Sequence, residues 1–275
     1  MAGQRMFRGA ASAPAHGWRV QALRLLLLLL LSGLSLQIFF AARIALMVVL
    51  APQSTSFQRS EVWRQAVDKR QISWSQQWVD AEQISVNLKR AVIASEDAGF
   101  IGHGGIEWDA LEQAWEKNQR AEAAAERRQA QARPRPHPTP ANGAAPQRPR
   151  VEAKLVGGST ISQQLAKNLF LSGERTVLRK AQEFALTLML EALLSKQRLL
   201  EIYLNNVEWG EGLFGAQAAA RHYFRTDAAR LDASSAARLA VMLPAPKRYE
   251  KNPHSAYLAS RAASVAARMG AVALP

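Results

Sequence analysis

The sequence predicts a mainly α-helical domain behind one membrane-spanning helix near its N-terminus. Residues 25–42 form an apolar run without a charge. Leu178, Leu186, Met189, Leu190, Leu193 and Leu194 recur at helical spacing in the second half. Strand-type alternation is scarce throughout.

The chain has 275 residues, which suits one globular domain plus appendages. Lys and Arg number 35 against 22 Asp and Glu, a net charge of +13. Such an excess points to an anionic partner: nucleic acid, acidic lipid or a phosphorylated substrate. Charge alone does not choose among them. The absence of cysteine excludes a disulfide scaffold, a thiol nucleophile and a thiolate metal site.

Residues 1–24 carry Arg5, Arg8, Arg19 and Arg24 with no acidic residue, and read as a basic cytoplasmic tail. At ~1.5 Å per residue the uncharged run 25–42 is about 27 Å long, close to the thickness of a bilayer's hydrocarbon layer. Arg43 interrupts it before 44–50 resume apolar character, and its long side chain can snorkel to the outer interface. Residues 25–50 are therefore assigned to the span and its outer interface, with the remainder facing outward. A cleaved signal peptide is the rival reading, although the run exceeds the usual apolar segment of one. Residues 51–85 form a polar juxtamembrane segment whose Trp63, Trp74 and Trp78 suit either a lipid interface or packing. No chemistry is assigned there.

In 86–114, Leu88, Val92 and Ile93 give a short helical face that ends in the glycines 99, 102, 104 and 105. Glu96 and Asp97 thus fall near a helix C-terminus, where the macrodipole disfavours negative charge. A desolvated carboxyl there has a raised pKa and suits a general base; a solvated acidic pair is the plainer alternative. His103 by itself reads as structural. Residues 117–154 are rich in Ala, Arg, Gln and Pro without an aromatic residue, and are expected to be a disordered insertion.

The stretch 157–168, GGSTISQQLAKN, opens another helix. Thr160 and Gln163 have capping-box spacing, and a helix N-terminus is an anion site. Lys167 two turns on and Arg175 beyond can add charge around a phosphate, though a purely structural cap fits the same residues. The following helix is expected to break near Ser195, with Arg179 and Glu183 four apart on one face. Trp209, Gly210, Gly212 and Gly215 mark a turn before an alanine-rich helix. Asp232 is placed to cap a further one, ended by Pro244 and Pro246.

Four ordered motifs, EDAGFIGHGG, GGSTISQQLAKN, Arg179-Lys180-Ala181-Gln182-Glu183 and KQRLLEIYLNN, together resemble the peptidoglycan glycosyltransferase family. The likeness covers residues from about 84 to the C-terminus, apart from the insertion. It implies a lysozyme-like, two-lobed glycosyltransferase domain over 86–275. It also implies polymerisation of lipid II, in which an acceptor sugar hydroxyl attacks the anomeric carbon of the growing chain and undecaprenyl pyrophosphate leaves. By this resemblance Glu96 is the general base, and Glu183 is a second acidic catalytic residue that holds a divalent cation, Mg2+ or Mn2+, in some members. Lys167 and Arg175 hold the donor pyrophosphate, with Ser159, Thr160, Gln164, Asp97, His103, Arg179 and Lys180 as further substrate-binding positions. Expected partners are lipid II, the nascent glycan strand, the bacterial inner membrane, and cell-division or elongation proteins; nucleic acid is not among them. The catalytic domain is expected in the periplasm.

The residue types suit that chemistry in their own right. A pyrophosphate leaving group needs its charge neutralised, and a sugar hydroxyl needs a base as attack proceeds. Glu107 and Ser235 depart from the family's usual Asp and Glu; the second removes a capping-box partner for Asp232. No Ser-x-x-Lys, Walker loop or zinc spacing occurs, and the length leaves no expected room for a transpeptidase domain. The alternatives are a glycan-cleaving enzyme of related fold and a noncatalytic membrane scaffold.

Overall fold

The computed structural model describes residues 16–131, 158–174 and 176–275. Two compact units emerge, 1–46 and 47–275. Among its described residues the first contains one helix, α1 (His16–Leu46), of which Gly17–Leu46 is long and apolar enough to cross a membrane. Its leucines occupy every face, as in a helix whose solvent is lipid. The helix starts earlier than the apolar run. Residues 17–24, expected in the basic tail, already belong to it, and it stops at Leu46, with a turn over 47–49.

The second unit is built from short helices around a small sheet. Helix α2 (Ser56–Arg64) starts at a Thr55 capping box with Gln58 and runs into one π-helical turn, Gln65–Lys69. Strand β1 (Ser75–Gln76) precedes α3 (Val86–Glu96), whose Leu88, Ala91, Val92 and Ile93 are buried against α9 (Ala233–Ala240) and α11 (Ala256–Met269). Next in the chain come α4 (Trp108–Gln131) and α5 (Ile161–Phe170). Helix α5 packs on α2, α6 (Val177–Leu193) and α7 (Lys196–Asn206). The break at Ser195 is a new N-cap: its hydroxyl accepts from the Arg198 amide at 3.2 Å.

After α7, β2 (Glu208–Gly210) and β3 (Leu213–Phe214) form a bulged antiparallel pair, with β1 parallel to the far side of β3. Gly212 sits at φ +70°, and a Cβ there would lie 1.9 Å from the Ser73 carbonyl oxygen, so the turn accepts only glycine. Helix α8 (Ala216–Phe224) and the four-residue α10 (Pro246–Tyr249) complete the set. Asp232 caps α9 by accepting from the Ser235 amide at 2.7 Å, without the reciprocal side-chain partner.

One expectation needs correcting. Disorder was expected from residue 117, but α4 continues to Gln131. Its Ala, Glu, Gln and Arg are strong helix formers, so this stretch becomes helical, and among its described side chains only Ala125 is buried. Residues 132–154 of that run lie outside the described residues.

Candidate active site

Glu96 is the last residue of α3, half-buried at the point where the chain turns into the glycine loop. Its Oε2 accepts from Gln164 Nε2 at 3.0 Å, and Ser95 Oγ reaches Oε1 at 3.4 Å. Burial raises the pKa of this carboxyl. The hydrogen bonds from Gln164 and Ser95 oppose that shift, Asp97 adds to it, and Arg261 pulls against it. Desolvation is therefore the main cause, and the result is a carboxyl suited to general base work nearer neutrality.

Asp97 is committed to the glycine loop and to the start of α5. Its carboxylate is buried, with Oδ1 2.8 Å from His103 Nε2 and Oδ2 accepting the Ile161 amide at 3.0 Å. His103 Nδ1 in turn accepts from the Gly105 amide at 3.1 Å, and Thr160 Oγ1 donates to the Gly105 carbonyl at 2.6 Å. Gly105 sits at φ +88°, and a Cβ there would be 2.7 Å from Thr187 Cγ2. The loop after Glu96 is thus stitched to the start of α5. Thr160, Asp97 and His103 stand behind the cleft wall rather than in its lining.

This arrangement changes the role expected of the α5 N-terminus. Its first amide goes to Asp97, and the Gln163 amide goes to the Thr160 cap. The anion at that helix end is a protein carboxylate. Lys167 lies instead in the last turn of α5.

A cleft of about 470 Å³ opens along the other face of α5. Ser159, Gln164, Lys167, Arg179, Lys180 and Glu183 all line it. Glu183 is buried and bonded by both neighbours, Arg179 Nη1 at 3.0 Å and Lys180 Nζ in a close contact. Arg179 keeps a buried Nε without a partner. Among the described residues the Lys167 ammonium has neither an ion-pair nor a hydrogen-bond partner, and its carbonyl only caps α5 through the Leu171 amide. Partial desolvation lowers its pKa, Glu183 opposes that, and Arg179 and Lys180 add to it. The cleft therefore holds one uncommitted ammonium and one half-used guanidinium, which is what an incoming anion requires. Arg175 lies outside the described residues.

The opposite wall comes from α2, through Phe57, Ser60 and Glu61. The sequence gives no signal for it, since contacts from residues so distant in the chain carry no local pattern. Arg64 and Lys247 bond Glu61. Burial pushes the Glu61 carboxyl up, but those two cations bring its pKa below the usual value. Behind it Glu208 is buried, 3.5 Å from Lys247, with its pKa pushed up to about 7, mainly by burial.

Two groups bear on a metal. Glu183 has both oxygens taken by cations, with Lys167 also close enough to be affected by its charge, so the residues present do not fit a divalent cation there. Asp97, His103 and Glu107 bring ligand atoms within 4.8 Å of one another. Both His103 nitrogens are already engaged in the loop, however, so the trio has no imidazole lone pair to offer.

Fold and site together define a helical enzyme with an anion-receiving cleft and a desolvated carboxyl, Glu96, which does not itself line that cleft but is bonded to Gln164, which does. A family model described as Transglycosylase matches residues 59–127 and 142–270. The chain is 46% identical over 246 residues to a biosynthetic peptidoglycan transglycosylase of Paraburkholderia phytofirmans, covering 89% of this chain and 90% of that protein. The protein of the same description from Paraburkholderia xenovorans is 46% identical over 246 residues, with the same coverage. That of Burkholderia lata is 48% identical over 242 residues, covering 88% of this chain and 86% of the relative. The chain belongs to the transglycosylase family and is a glycosyltransferase with the mainly helical, lysozyme-like fold the sequence led us to expect. The family model skips only 128–141, a narrower gap than the insertion expected over 117–154.

Proposed function

We propose that this peptidoglycan glycosyltransferase polymerises lipid II into glycan strands, with Glu96 as its base. The supporting observation is Gln164, which bonds Glu96 at 3.0 Å and lines the cleft that also holds Lys167, one helical turn along α5. Gln164 thus links the base to the groove that holds the cation. Glu96 carboxylate takes the proton of the acceptor sugar's 4-hydroxyl as its oxygen forms a bond to the donor's anomeric carbon. The bond from that carbon to the pyrophosphate oxygen breaks, and its electron pair leaves with undecaprenyl pyrophosphate. Lys167 and Arg179 neutralise the charge that develops on the leaving group, with Arg175 and Lys180 as further cations. Ser159 lies at the rim as a polar contact. Glu183 holds Arg179 and Lys180 in place, and no step runs through a metal.

The apolar helix α1 supports an inner-membrane anchor, and the arginines ahead of residue 25 support a cytoplasmic N-terminus and a periplasmic catalytic domain. A lipid-borne donor and acceptor then reach the cleft from the same membrane. The nascent glycan strand is the second substrate, and proteins of division or elongation are candidate partners. Incubating purified protein with labelled lipid II and separating the products on a gel tests this reading. Glycan polymer is the expected product. Shortening of mature glycan strands with no polymer from lipid II would overturn it in favour of a cleaving enzyme.

A further inference from the structure

Tyr203 of α7 is fully buried, and its hydroxyl donates to Gln164 Oε1 at 2.9 Å. The other end of that amide, Nε2, donates to Glu96 Oε2 at 3.0 Å. Three side chains from α7, α5 and α3 thus form one directed line ending on the carboxyl. The two ends of an amide are nearly alike in shape, so partners alone decide which end faces Glu96. Against a carboxylate the N–H end attracts and the carbonyl end repels.

Tyr203 reinforces that choice: its hydroxyl could also accept, but a flipped Gln164 would leave the buried O–H proton without its acceptor. Burial raises its pKa well above the ordinary phenol value, and the charges of Glu96 and Asp97 raise it further, so the hydroxyl keeps its proton. A buried O–H proton whose acceptor is Gln164 Oε1 favours the carbonyl end of Gln164 on the Tyr203 side. We propose that Tyr203 is a positioning residue for the general base, locking the Gln164 amide with its N–H toward Glu96 so that the carboxylate is held ionised and aimed along α5. This rests on Glu96 being the base. The other charged groups facing Glu96 are Asp97, next in the chain, and Arg261 of α11. Helix α9 adds none, since Arg238 turns to His254 and Pro253, and Asp232 caps its own helix.

The test is the pH profile of kcat/KM for lipid II polymerisation by the full chain. With Tyr203→Phe the amide can flip, and a carbonyl facing Glu96 favours the protonated acid. The acid limb should move to higher pH by about 0.5–1 unit, the size expected for one net hydrogen bond. Affinity for a moenomycin-type donor-site inhibitor should stay unchanged. Gln164→Met should shift the limb in the same direction, and adding Tyr203→Phe to it should shift the limb no further. Should Tyr203→Phe fail to fold, Tyr203→Met, which also removes the hydroxyl, takes its place in the same comparison. A lower Tm with an unmoved limb, or a Tyr203→Phe shift that persists in the Gln164→Met background, overturns the proposal. Glu96→Gln in parallel separates the two ideas. Wild-type turnover from that variant would sink the base itself, whereas its inactivity beside an unmoved Tyr203→Phe limb would sink only the positioning role.

Discussion

Replacing Lys167 by Met asks whether the cleft is an anion site. Lys167 has no protein ion pair, and burial already lowers its pKa, so part of its desolvation cost is met before any ligand arrives. At ~4 Å and an effective dielectric constant near 20, one charge pair is worth about 4 kcal/mol. The ammonium retains exposure, however, so that figure must be discounted for solvent screening. A net charge-assisted hydrogen bond of ~1.5–3 kcal/mol is the better measure. Affinity for a pyrophosphate-bearing donor or a donor-site inhibitor should then fall about 10- to 150-fold, measured by calorimetry or fluorescence titration. Stability should move the other way or not at all. The variant removes a positive charge from beside Arg179 and Lys180 at the cost of a weak attraction to Glu183, so Tm should change by no more than about 2 °C. Unchanged donor affinity, or weaker binding explained by a large fall in Tm, would refute the reasoning.

The polymerisation rate should decline with falling pH sooner than an ordinary carboxylate base allows, because burial raises the Glu96 pKa and only the ionised form accepts the proton; a pH–rate profile with a donor at saturation reads this. Chelation with EDTA should leave at least half of the activity of purified protein, since Glu183 spends both oxygens on Arg179 and Lys180. Glu208→Gln should raise Tm at pH 8 but not near pH 4. The folded carboxyl titrates at about 7 against ~4.5 unfolded, so its ionisation cost grows as pH rises through that window, to an upper bound of ~3 kcal/mol above it. Thermal melts across that pH range provide the check.

The features legible in the sequence were those fixed within a few residues. Thr160 with Gln163 closed its capping box, Ser195 broke the long helix, and Arg179 met Glu183 at 3.0 Å. Helical spacing and turn chemistry set each of these locally. What stayed hidden depends on contacts far along the chain. Asp97 fills the N-terminus of α5 from 64 residues away, and α2 supplies a wall of the cleft. The strands are only two or three residues long, too short for alternation to register. Tyr203 lies within KQRLLEIYLNN, where local pattern gives it no role, because its hydroxyl's partner lies 39 residues earlier. The helical extension of α4 was missed for a different reason: its Ala, Glu, Gln and Arg carry high helix propensity but run straight into the Pro-rich stretch, and the two read together as one low-complexity run.

Glu96→Gln, assayed for both turnover and donor affinity, probes the central claim most directly. The amide keeps the shape of the side chain while losing its capacity to take a proton. The account predicts that glycan polymer formation from labelled lipid II falls by about 10²- to 10⁴-fold while donor-site affinity stays within a few-fold of wild type. Polymer made at the wild-type rate would contradict it.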